Sequence, residues 1–79
     1  QVHVREMHSK WASISTRGRM TLSTDVCRLP RPLIEFVIVH ELAHLLAPNH
    51  GRLFKSYMYA YLQDWEEREQ RLRARDRQR

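Results

Sequence analysis

Three histidines and one glutamate fall in a short stretch: His40-Glu41-Leu42-Ala43-His44 and then, six residues on, His50. On a helix, residues four apart share a face, so His40 and His44 can aim both imidazoles at one cation. Two imidazoles leave a divalent ion half-coordinated. A third protein ligand and a water complete the open tetrahedral arrangement of a catalytic zinc. Glu41 stands one residue round from His40, on the flank of that face. From there it can take a proton from a water at the open position without being a ligand itself. The stretch lies inside an apolar run (Leu33, Ile34, Phe36–Val39, Leu42, Ala43, Leu45, Leu46). Two histidines and a glutamate are costly to bury there unpaired, and a metal is the simplest partner for all three. The bland alternative is a surface helix whose polar residues share this spacing by accident.

The third ligand rests on the turn. Pro48 disfavours a helical Ala47, so the helix should stop near Leu46. Asn49 and Gly51 are turn residues, and His50 between them lies on a segment folding back towards the helix. Asp64, Glu66, Glu67 and Glu69 are the competing ligands, but they read as a solvated helix face. Imidazole suits zinc and the turn is tight, so His50 is preferred.

Other elements must hold this stretch in place. Trp11–Ile14 and Met20–Leu22 flank Thr16-Arg17-Gly18-Arg19, which predicts a hairpin with strands near 9–15 and 19–23. The alternation reaches Thr24 at most, and residues 2–7 alternate only loosely. Leu29-Pro30-Arg31-Pro32 then starts a helix over about 31–46, since proline is tolerated in a first turn. That helix is apolar nearly all round, which predicts burial between other elements. Its β-branched run (Ile34, Val37–Val39) needs packing to stay helical, and a buried strand is the competing reading. Leu53, Phe54, Tyr57, Met58, Tyr61, Leu62, Trp65 and Leu72 recur at helical spacing, predicting one amphipathic helix from Arg52 to about 73.

The chain's 79 residues predict one small domain, 1–79, whose Arg-rich stretch 66–79 is a solvated helix end or tail. No apolar span is long enough for a membrane helix, and no secretory signal opens the chain. It does not begin with Met, as in a fragment or processed product. The lone Cys27 excludes an internal disulfide, fits the cytoplasm and reads as a small packed residue. A net charge of +5 admits a nucleic-acid partner, but its spread along the chain weakens that reading.

Met7-His8-Ser9-Lys10-Trp11-Ala12-Ser13, Gly18-Arg19-Met20-Thr21-Leu22, Val37–Leu45 and Asn49-His50-Gly51 followed by Phe54 resemble the YgjP-like metallopeptidase family. That family is related to the SprT-like and WLM zinc peptidases. The resemblance spans roughly residues 7–58 and implies an α+β minimal zincin: a small sheet, an active-site helix and a second helix. It assigns zinc to His40, His44 and His50 and the general base to Glu41. Ala12, Ile14 and Lys55 depart from the family's usual Gly, Cys and Trp, and its longer N-terminal β region is missing here.

The residues and the resemblance together imply a zinc-dependent peptidase acting on an extended peptide at the hairpin edge; Tyr57 is a candidate oxyanion donor but reads better as core. One rival is a metal-dependent hydrolase of a nucleotide phosphoanhydride. The other is a structural-zinc module that binds nucleic acid, against which Glu41 argues, because a closed site has no use for a base.

Overall fold

Pro30 and Pro32 set the start of the central helix, α1 (Arg31–Leu46), in the computed structural model, which describes residues 2–7 and 10–76. The Pro30 carbonyl accepts from the amides of Leu33 and Ile34 at 2.9 and 3.1 Å. At the other end the Ala47 amide donates to Ala43 at 2.8 Å, and the backbone turns extended ahead of Pro48. The expected limits of 31–46 therefore hold. Packing supplies what propensity lacks: Leu33, Phe36, Val37 and Ala43 are buried, with Ile34 and Val39 packed beside them.

α1 is not buried on every side, contrary to the sequence expectation. Leu42 is 46% exposed and Leu46 53%, because the elements that pack on α1 (β2 and the two helices that follow it) leave this face open.

The sheet has three strands in the order β1-β3-β2, formed by β1 (Val2–Arg5), β2 (Ala12–Ile14) and β3 (Met20–Ser23). β2 and β3 are the expected antiparallel hairpin, with Ser13 opposite Thr21. Residues 8 and 9 lie outside the described residues. Gly18 closes the loop at φ +85°, a conformation that glycine adopts without strain. β1 pairs parallel to β3, with all four side chains exposed. That leaves β2 at an edge of the sheet, packed on α1.

Past Ser23 the alternation stops. Ser23 Oγ accepts from the Asp25 amide at 3.2 Å and starts a 3-10 turn, Thr24–Arg28, rather than a longer strand. Cys27 on this turn is exposed, not packed as expected.

The long second helix is in fact two: α2 (Arg52–Tyr61) and α3 (Trp65–Asp76). Leu62 is extended, and its amide closes α2 onto Met58 at 2.7 Å. Asp64 precedes α3, and Glu66 and Glu67 fill its first turn, where acidic groups complement the helix dipole. Arg68 then ties α3 to α1 through the Pro32 carbonyl (3.0 Å) and to Asp64 (2.9 Å). Trp65 and Leu72 are buried on the expected apolar stripe, and the Arg-rich stretch is helical as far as Asp76, with the other side chains of 66–75 exposed or partly exposed. Residues 77–79 lie outside the described residues. No helix among the described residues is long and apolar enough to cross a membrane.

Candidate metal centre

α1 presents His40 and His44 one turn apart, with ring centroids 4.5 Å from each other. The turn that begins at Pro48 carries His50 back, so that its ring stands 4.4 Å from His44 and 5.6 Å from His40. One nitrogen from each ring lies within 4.8 Å of the other two. Among the described residues this is the one group of His, Cys, Asp or Glu close enough to hold a metal, and none of Asp64, Glu66, Glu67 or Glu69 belongs to it.

Two second contacts orient the rings. His44 Nδ1 lies 3.2 Å from the Pro48 carbonyl, so with its proton there it donates to that oxygen and keeps the Nε2 lone pair for a cation. Pro48 thus ends the helix and also aims a ring on it. His40 Nδ1 lies 2.9 Å from Glu41 Oε2, and the same logic leaves its Nε2 as the donor atom.

Electrostatics favour the neutral, metal-ready form of His44. Partial burial lowers its pKa first, and positive charge on His40 or His50 would lower it further; Glu41 and the Pro48 carbonyl oppose these effects. A neutral imidazole is the form that binds metal.

Beneath the trio lies Phe54, only 2% exposed. Its ring centroid is 5.5, 4.8 and 4.7 Å from those of His40, His44 and His50. His40 and His50 meet it edge to face, an arrangement aromatic pairs prefer. Phe54 was legible as core from its helical stripe, but its contact with every ring of the trio was not.

α3 brings a further pair to the edge of the site, although Arg73 remains largely exposed, as expected of a solvated face. Glu69 and Arg73, one turn apart and 3.6 Å from each other, both border the openings beside His40. Nothing local in the sequence signals this, because it depends on α3 folding back over α1. Tyr57 packs against the core cluster, which fits a packing role better than that of an oxyanion donor.

Comparison with solved structures finds the same architecture in two archaeal proteins. The crystal structure of the metallopeptidase zymogen of Pyrococcus abyssi abylysin superposes with a TM-score of 0.85 at 26% identity, covering 95% of this chain and 76% of that one. The metallopeptidase zymogen of Methanocaldococcus jannaschii jannalysin gives 0.81 at 25% identity, covering 94% and 77%. Comparison with curated protein sequences returns no match. The family match spans nearly the same length, since residues 1–75 fit the pattern described as YgjP-like, metallopeptidase domain. With that span matched and the sheet and helices in the zymogens' arrangement, the protein belongs to the YgjP-like metallopeptidase family.

Proposed function

We propose that the protein is a zinc peptidase in which His40, His44 and His50 hold the ion and Glu41 moves the proton. The carrying observation is the convergence of three imidazoles, with nitrogens within 4.8 Å of one another, beside a carboxylate. Nitrogens on a tetrahedral ion with bonds near 2.1 Å stand roughly 3.4 Å apart, so small side-chain adjustments complete the fit. An all-imidazole set suits zinc, whereas magnesium and calcium select oxygen donors.

When bound, zinc supplies a Lewis acid for the scissile carbonyl and lowers the pKa of water. Glu41 accepts the proton of the attacking water and passes it to the leaving amine. His40 anchors one oxygen of that carboxylate through Nδ1, which holds the base at a fixed angle to the trio. The edge strand β2 packs on α1 and can pair with an extended peptide through main-chain hydrogen bonds. Residues 1–79 act as one unit in this reading, since β2, α2 and α3 all pack on the helix that bears the site. The lone Cys27 suits a reducing compartment, and the cytoplasm is the proposed location.

The test compares zinc-loaded and chelated protein on an unfolded protein substrate and on a nucleoside triphosphate. Peptide cleavage that disappears with chelation supports the reading. Phosphate release without any peptide cleavage replaces it with the nucleotide-hydrolase alternative.

A further inference from the structure

We propose that the cleft beside the histidine trio selects peptides with a large apolar residue at the scissile bond and acidic residues flanking it. This rests on the peptidase reading and names its substrate class.

Two openings meet at His40, Glu69 and Arg73, which line both. The first, about 250 Å³, lies on the Glu41 side between β2, α1 and α3. Trp11, Phe36, Val37 and Leu72 supply its apolar wall, and the last three are buried and so held in place by packing. A concave apolar wall beside the base accepts a single aliphatic or aromatic side chain, since burying such a side chain is favourable.

Charge around the openings is unevenly distributed. Lys10 borders the first, Lys55 the second and Arg73 both. Among the described residues the acids on these linings are Glu41 and Glu69. Glu41 is engaged with His40, and Glu69 faces Arg73 at 3.6 Å. That ion pair spans one exposed helical turn, and the Arg73 side chain is 74% exposed. Pairs of this kind are weak, so the guanidinium can turn to a substrate carboxylate, which it binds in bidentate fashion. Taken together, three cations against two acids leave the openings a net positive charge, concentrated at the second, where Lys55 and Arg73 face Glu69 alone, and this favours acidic side chains beside the apolar residue. A basic peptide meets like charge there.

The experiment uses the zinc-loaded full chain carrying Glu41→Gln, so that binding is read without turnover. Three fluorescent peptides are compared. One has a central Phe-Leu flanked by Asp and Glu, one the same centre flanked by Lys and Arg, and one a Gly-Ser centre with acidic flanks. The first should bind about tenfold tighter than either of the others at low salt. The charge preference should shrink towards parity near 0.5 M salt, as exposed charges are screened. Adding Lys55→Glu and Arg73→Glu should reverse the order of the acidic and basic peptides. Equal binding of acidic and basic peptides, or a preference unchanged by the two reversals, overturns the proposal. So does displacement of the first peptide by a single-stranded oligonucleotide at lower concentration than by unlabelled peptide, which makes the cations a phosphate site. The native chain separates the two readings. Binding in the expected order with no cleavage sinks the peptidase reading alone; cleavage of acidic and basic peptides at equal kcat/KM sinks the present one alone.

Discussion

Glu41 Oε2 lies 2.9 Å from Nδ1 of His40, its neighbour in the chain. The proposed base is therefore also the group that fixes the tautomer of a proposed ligand ring, with consequences for every substitution at this position.

Glu41→Gln should retain zinc and the fold but lose turnover by about a hundred- to ten-thousand-fold. The amide oxygen can still accept from His40 Nδ1, but it takes no proton at neutral pH. Zinc content, melting temperature and hydrolysis of an unfolded protein, measured on the same preparations, decide the matter. Metal loss would reassign Glu41 as chiefly a partner of His40, and unchanged turnover would remove it from the mechanism.

His50→Ala should weaken zinc binding by more than about a hundredfold, the upper range seen even for groups behind the ligands. The residue is exposed, so the apo fold should melt at nearly its original temperature. Titration with a competing chelator gives the affinity. An unchanged value would mean that the turn's approach to α1 serves some other purpose.

The metal-free protein should lose stability as the pH falls below about 6.5, the ordinary value for His44. Its folded pKa is lowered, so the unfolded chain binds the proton first. The stabilisation held above 6.5 therefore drains away as pH falls through the folded value. Zinc release should follow the same direction, because protons compete for the imidazoles. Melting curves of the apo protein at pH 7.5 and 5.5 test this, with His44→Gln expected to flatten the difference.

Phe54→Ala should cost about 3–5 kcal/mol, as expected for truncating a buried Phe. Phe54→Leu refills most of that space while removing the edge-to-face contacts with His40 and His50. It should keep the protein folded yet lower zinc affinity by about tenfold, since the rings lose their rest. Denaturant midpoints and chelator competition separate the two effects. If the Leu variant binds zinc as tightly as the parent, Phe54 is ordinary core.

What could be read from the chain was whatever short-range rules encode. α1 was legible at both ends because Pro30, Pro32 and Pro48 act on their own neighbours, and the His40–His44 pair because one helical turn sets its spacing. The break at Leu62 was hidden, since Tyr61, Leu62 and Trp65 keep the apolar stripe in phase across it. A start signal was nevertheless present in Asp64 followed by Glu66 and Glu67. The parallel pairing of Val2–Arg5 with Met20–Ser23 joins segments that share no local pattern. The approach of Glu69 and Arg73 to His40 likewise arises only when distant helices pack.

Because the three histidines lie within residues 40–50, the site can assemble before the sheet does. Segments about ten residues long close on the ten to hundred nanosecond scale, far ahead of strand pairing between distant parts of the chain. An ion caught by this segment would staple the end of α1 to the start of α2 in a chain still largely unfolded. Zinc should therefore speed refolding as well as slow unfolding, and stopped-flow refolding with and without the ion would show the two rates moving apart.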